Sequence, residues 1–288
     1  MTRYKQPTIL FRADIPATSS HDHDSLVILE EEEHKPYKEA ILKPGASSIA
    51  FPSDFSDPEI PEGSIAYHPI FGDITYRSWW RFSTAQFMAD LQAAEENPAI
   101  IAHLIHVDSP GGEAFGLHEA FQLVKSLKKP CFAVIESMAA SAGYYLAAAA
   151  DRIYTTAKFS LVGCIGIVGA FWDDSKWLED HGIKEHEYYS TYSPLKNKIF
   201  RDAMVGDGEE YIKRYLDPMA LQFIEDVKSV RKDVTQAAQE GDTYYSEEAQ
   251  AAGLIDGQKD LDTALDELIR KATPKPQSPS VDINKLNL

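Results

Sequence analysis

Between residues 63 and 271 the chain alternates two kinds of apolar pattern. Short, nearly unbroken apolar runs predict strands at Ser64–Ile70, Ile101–Val107, Cys131–Ile135 and Arg152–Thr155. Between them lie stretches with helical spacing: Ser83–Glu96, with Phe87, Met88, Leu91 and Ala94 on one face, Glu113–Leu127, and the small-residue segment Ala142–Ala150. A continuous apolar strand such as Ile101–Val107 is expected where both faces of a parallel sheet are covered. Strand and helix in alternation predict βαβ units and an α/β fold. A long helix over Glu209–Lys232, a short helix and turn over Ser246–Leu254 and a last helix over Leu261–Lys271 complete the pattern.

Outside that region the pattern is lost. Residues 1–62 are polar and acidic, with Glu30–Glu33 and prolines at 44, 52, 58 and 61. They read as an irregular extension with Ser25–Leu29 as one short edge strand. The Pro/Ser/Lys-rich segment 272–288 reads as a flexible tail. His21-Asp22-His23-Asp24 puts neighbouring side chains on opposite sides of an extended chain, so it reads as a solvated loop, and no metal is expected.

Composition narrows the function classes. With 44% apolar residues among 288, the chain has enough for a real core. The formal charge of −17 argues against nucleic acid and anionic membranes as partners. Cys131 and Cys164, both in apolar runs, predict no disulfide framework. The N-terminal residues lack the apolar run of a signal peptide, and no run approaches the roughly 18 apolar residues of a spanning helix. A soluble, cytoplasmic protein without a membrane anchor is the expectation.

The candidate chemistry sits between Ile101 and Gly169. Asp108-Ser-Pro-Gly111-Gly112 follows a buried strand, and glycines there let backbone amides face a ligand. Two such donors hold a developing oxyanion; the same residues also make good turn chemistry. Ser141, flanked by Ala140, Ala142 and Gly143, stands at a helix start with little bulk around its hydroxyl. Nucleophile and N-cap are both open readings of that joint. No histidine lies in a motif that marks a base, and His103 and His106 read as core residues. A lysine made neutral by burial would serve, and Lys196 and Lys198 are the candidates.

Taken in order, Asp108–Gly112, Met138-Ala-Ala-Ser-Ala-Gly-Tyr-Tyr145, Gly163-Cys-Ile-Gly-Ile-Val168 and Tyr245-Ser-x-x-Ala-x-x-x-Gly-Leu-Ile-Asp256 resemble the bacterial signal peptide peptidase A family. The match runs from about Gly63 to Leu265. These are Ser/Lys peptidases with a ClpP/crotonase-like fold, and the tailed-phage prohead (capsid-assembly) proteases are their soluble branch. The resemblance implies Ser141 as nucleophile and Lys196, 55 residues further on, as general base, with Lys198 as alternative. It implies Gly111, Gly112 and Ala142 as oxyanion donors, no cofactor, and a homo-oligomer in which serine and lysine can come from neighbouring subunits. Peptide substrates are implied, with capsid, portal or scaffold proteins expected and the procapsid interior as a further location. Cys164 replaces the serine that orients the lysine in the family, and a thiol is a weak hydrogen-bond partner. A non-catalytic assembly protein, a general peptide-degrading enzyme and a crotonase-type acyl-CoA enzyme are the competing expectations.

Overall fold

The apolar run after Pro98 builds the centre of the sheet. In the computed structural model, which describes residues 8–12, 49–50, 55–58 and 60–273, the elements follow in this order. β1 is Thr8–Arg12, β2 Ile49–Ala50, β3 Ser64–Ile74, α1 Thr84–Glu96 and β4 Ile100–Glu113. Then come α2 Leu117–Ser126, β5 Cys131–Ala140, α3 Ala142–Ala148, β6 Arg152–Thr155, β7 Leu161–Gly163 and β8 Val168–Ala170. The second half holds α4 Ser175–Asp180, α5 Lys198–Met204, α6 Glu209–Tyr211, α7 Asp217–Val230, β9 Thr243–Tyr245, α8 Ser246–Ala251, β10 Gly257–Gln258 and α9 Leu261–Ala272.

The described strands form one sheet, and β3, β4, β5 and β6 lie side by side in parallel. This is the α/β architecture the alternating pattern predicts. β4 alternates between its two faces with period two. Ala102 and Leu104 pack with Leu265, Leu268 and Ile269 of α9, while Ile105 and Val107 pack under α1, α2 and α3. Burying each large aliphatic side chain contributes roughly 1.5–3 kcal/mol. α9 begins where Asp260 accepts from the Thr263 amide at 2.7 Å, and α1 where Ser83 accepts from Gln86 at 3.3 Å.

Several boundaries differ from the sequence pattern. β4 does not stop at Val107 for a Ser-Pro-Gly-Gly turn; it continues extended to Glu113. The reason is tertiary pairing: Asp73–Ile74 of β3 run alongside Gly111–Gly112. The helix expected from Glu113 starts at Leu117, after Gly116 at φ +76°. The long helix over 209–232 is split, with a π-helical turn at Ile212–Leu216 and Pro218 opening α7. Thr8–Arg12 joins the sheet, although the 1–62 stretch read as irregular. The edge strand expected at Ser25–Leu29, the His-Asp run and the segment from 274 lie outside the described residues. Among the described residues no helix is long and apolar enough to cross a membrane, and no group of three or more His, Cys, Asp or Glu could hold a metal.

The site is positioned by the way β4 and β5 part. Their register runs regularly from His103↔Cys131 to Val107↔Ile135, then shifts, with Ser109↔Ala139 as its last pair. β5 turns to pair with β7 through Met138–Ala140, and β4 carries Gly111–Gly112 away on the other side. The strand that ends in Ser141 and the strand that carries the glycines therefore diverge at one point.

Candidate active site

Ser141 occupies the joint between β5 and α3 with φ +55° and ψ −118°. A non-glycine residue there is strained, at a cost of roughly 1–3 kcal/mol. Its backbone is clamped on both sides: the Ser141 amide donates to the Gly163 carbonyl at 2.8 Å, and its carbonyl accepts from the Tyr145 amide at 2.9 Å. The side chain is not clamped. Ser141 is fully buried and its Oγ has no hydrogen-bond partner among the described residues. The capping role left open by the sequence is absent, because the hydroxyl makes no cap bond to α3. Burying a hydroxyl without a partner is costly, so an oxygen held in this state is the kind of exception that points to function.

The glycines are fixed by close packing. A Cβ on Gly112 would lie 2.0 Å from the Ile74 carbonyl oxygen, so no side chain fits there. Gly111 has φ +109°, a conformation that favours glycine. Its amide donates to Ser109 Oγ at 3.2 Å, and Ser109 Oγ in turn donates to the Gly72 carbonyl at 2.6 Å. Gly143, two residues after Ser141, is pressed against Ser109: a Cβ there would come within 3.0 Å of the Ser109 carbonyl. Ser109 thus joins the two segments. Through it the Gly111–Gly112 strand and the Ser141–Gly143 joint lie side by side.

Cys164 lies next to this cluster. It follows Gly163, which holds the Ser141 amide, and it too has positive φ, at +55°. Its amide donates to the Asp242 carbonyl at 2.7 Å. The thiol is partly buried.

The lysines stand elsewhere. Lys196 is exposed on the segment between α4 and α5, and it does not hydrogen-bond Ser141. It lines a cavity of about 830 Å³ with Ile183, Tyr188, Tyr189, Ser193 and Asn197. Lys198 is engaged, its ammonium paired with Asp202 one turn along α5. That contact holds the ammonium beside α5. Residues 171–196 are rich in exposed aromatics: Trp172 is 89% exposed, Tyr188 90% and Tyr192 94%. Neither α4 nor α5 has a buried residue.

Sequence reasoning did not single out the residues behind α3. Tyr145 Oη donates to Asp226 at 2.5 Å, and Asp226 also accepts from His118 Nδ1 at 2.7 Å and Gln122 at 2.9 Å. Burial, then the neighbouring Asp226, pushes the Tyr145 hydroxyl well above its usual range, so it stays a donor. This network ties α2, α3 and α7 together one turn beyond Ser141. The only signal for it in the sequence was the helical spacing of those residues, which does not reveal a long-range partner.

Comparison with known proteins places this geometry in context. The profile of peptidase family S49 matches residues 124–273, just over half of the chain. The chloroplastic serine protease SPPA of Arabidopsis thaliana is 28% identical over 190 residues, covering 62% of this chain and 27% of that protein. Capsid assembly protease C of Escherichia phage lambda is 27% identical over 173 residues, covering 59% of this chain and 39% of that protein. The chain thus spans less than two thirds of either relative. Among solved structures, a ClpP1 point mutant from Listeria monocytogenes matches with a TM-score of 0.43 at 13% identity, covering 69% of this chain and 94% of that one.

Proposed function

Because this chain belongs to peptidase family S49, we propose that it is a serine endopeptidase with Ser141 as nucleophile and Lys196 as general base. The observation that carries the reading is the buried, unpartnered Ser141 Oγ on a strained joint beside the Gly111–Gly112 strand. In the reaction, neutral Lys196 takes the Ser141 proton and the oxygen attacks a peptide carbonyl. The amides of Gly112 and Ala142 receive the developing oxyanion, and the Gly111 amide joins them by exchanging Ser109 Oγ for this stronger, charged acceptor. The amine leaves with the proton carried by Lys196, and water then releases the acyl group from Ser141.

The base comes from a second copy of the chain. Ser141 Oγ has no partner among the described residues of its own protomer, and Lys196 projects on an exposed aromatic arm that an oligomer would cover. Lys198, already paired with Asp202, is the weaker candidate. The substrates are proteins of capsid assembly, a reading supported by the likeness to the lambda capsid assembly protease, with the cytoplasm or procapsid as location.

The test is cleavage of casein, and of phage capsid, portal and scaffold proteins, by wild type, Ser141→Ala, Lys196→Ala and Lys198→Ala. Loss of about 10³-fold or more in the first two variants, with Lys198→Ala active, is expected. Equal cleavage by wild type and Ser141→Ala would end the peptidase reading. Cys164, in the position of the family's lysine-orienting serine, favours one alternative, an assembly protein without turnover. Cys164→Ser gaining activity where wild type has none would support that alternative.

A further inference from the structure

Where β4 leaves β5, the sheet has a place one strand wide, and β1 fills it. On one side β1 runs antiparallel to β4, with Leu10↔Glu113, Phe11↔Gly112 and Arg12↔Gly111. On the other it runs antiparallel to β8, with Thr8↔Ala170, Ile9↔Gly169 and Leu10↔Val168. Among the described residues β8 pairs with no other strand, so β1 is its link to the sheet. Neighbouring strands lie about 4.8 Å apart, so the edges of β4 and β8 that face each other are roughly 9–10 Å apart, a gap that takes one extended chain.

The position matters because of what lies at its end. The β4 residues that hold β1 include Gly111 and Gly112, the glycines beside Ser141, and both are buried. From Leu10 to Arg12 the partner on β4 runs from Glu113 back to Gly111, towards Ser109 and the Ser141–Gly143 joint packed on it. An extended peptide reaching that joint along β4 has to use the backbone groups that β1 now uses. β8 has a floor of its own: Tyr211 lies directly beneath Gly169, its hydroxyl within 2.4 Å of where a Cβ would be, and Tyr211 stacks edge-on with Phe171. The second edge of the gap is therefore supported from below as well as by β1.

We propose that β1 is a built-in occupant of the peptide groove: Thr8–Arg12 holds the place of an extended substrate strand, and a substrate enters by displacing it. The proposal rests on the reading of Ser141 as nucleophile. The ligand class is an extended peptide bound through its backbone, antiparallel to both β4 and β8. The occupant, Thr-Ile-Leu-Phe-Arg, is rich in β-branched and aromatic residues, which suits that conformation. If the groove stands open in about one molecule in ten, apparent affinity for substrate is reduced about tenfold.

The experiment compares the full chain with a chain lacking residues 1–12. On the Ser141→Ala background, binding of a fluorescein-labelled extended peptide is measured by anisotropy. The truncated chain is expected to bind about tenfold tighter, and an unlabelled Thr8–Arg12 peptide to compete on the truncated chain more strongly than on the full one. On the active background, truncation should lower KM about tenfold with kcat unchanged. Leu10→Pro with Phe11→Pro, which removes an amide from each side of β1 in the intact chain, should act like the truncation. Equal peptide affinity in full, truncated and double-proline chains overturns the proposal, whether or not any of them cleaves. Tighter binding on truncation without cleavage by any chain would support the occupant and remove the peptidase reading instead.

Discussion

At the scale of single residues, the site is written in what cannot be substituted. Ser141 sits where the backbone favours glycine, so Ser141→Gly should raise stability by about 1 kcal/mol while abolishing cleavage. Urea denaturation of the two proteins would show it, and an unchanged or lower midpoint would count against strain at the joint. Gly112→Ala should act in the opposite direction. Its new methyl would meet the Ile74 backbone at 2.0 Å, so a loss of about 3 kcal/mol is expected by the same measurement. A fully stable Gly112→Ala protein would mean that β3 and β4 separate easily. The sequence made Ser141 legible because small residues surround it, yet nucleophile and cap remained equivalent until the missing cap bond distinguished them. The residues alone left Lys196 and Lys198 both open and the resemblance preferred Lys196; the structure adds that Asp202 pairs with Lys198.

At the scale of elements, β3, β4 and α1 carry a polar chain through the core. The Glu95 carboxylate accepts from His103 Nε2 at 3.0 Å, which leaves His103 Nδ1 bare to accept from His68 Nε2, also at 3.0 Å. His68 Nδ1 is then a bare nitrogen with no partner among the described residues. Burial first, then the neighbouring His103, holds the His68 pKa well below its usual 6.5, and burial lowers His103 too. The sign follows from proton counting. Below about pH 6.5 the unfolded chain takes up protons that the folded chain refuses, so stability falls as pH drops. Thermal unfolding at pH 7.5 and 5.5 should show a clear decrease that His68→Gln reduces; a pH-independent midpoint would contradict the buried neutral pair. Periodicity predicted these strands and helices because their apolar faces recur regularly. It missed the extension of β4 through Ser-Pro-Gly-Gly, since local turn chemistry there is overruled by pairing with β3. It also missed the π turn before α7, which leaves apolar spacing almost unchanged.

At the scale of the whole molecule, the proposal that Lys196 completes the site turns on the exposed segment from Trp172 to Lys196. Ser141→Ala and Lys196→Ala are each expected to be inactive alone. If a neighbouring copy supplies the lysine, mixing the two under conditions that let subunits exchange should restore roughly a quarter to a half of wild-type activity, the share of sites that draw both intact residues. Cleavage assays across mixing ratios would measure this, and a mixture as inactive as its parts would place serine and lysine in one chain. The aromatic arm was not legible as an arm. No hydrophobic periodicity marks Trp172, Tyr188 and Tyr192, which the structure leaves exposed.

The clamp on Ser141 has a consequence for how the protein is made. The serine's amide is held by Gly163, and the next residue, Cys164, is held by Asp242, 101 residues beyond the serine. At about 5–20 residues per second, a ribosome needs roughly 5–20 s after adding Ser141 to add Asp242. During that interval the nascent chain carries Ser141 without the backbone that fixes it. Synthesis order alone therefore delays the fixed Ser141 joint until Asp242 has been added, and on the reading of Ser141 as nucleophile that delay protects other unfolded chains emerging nearby.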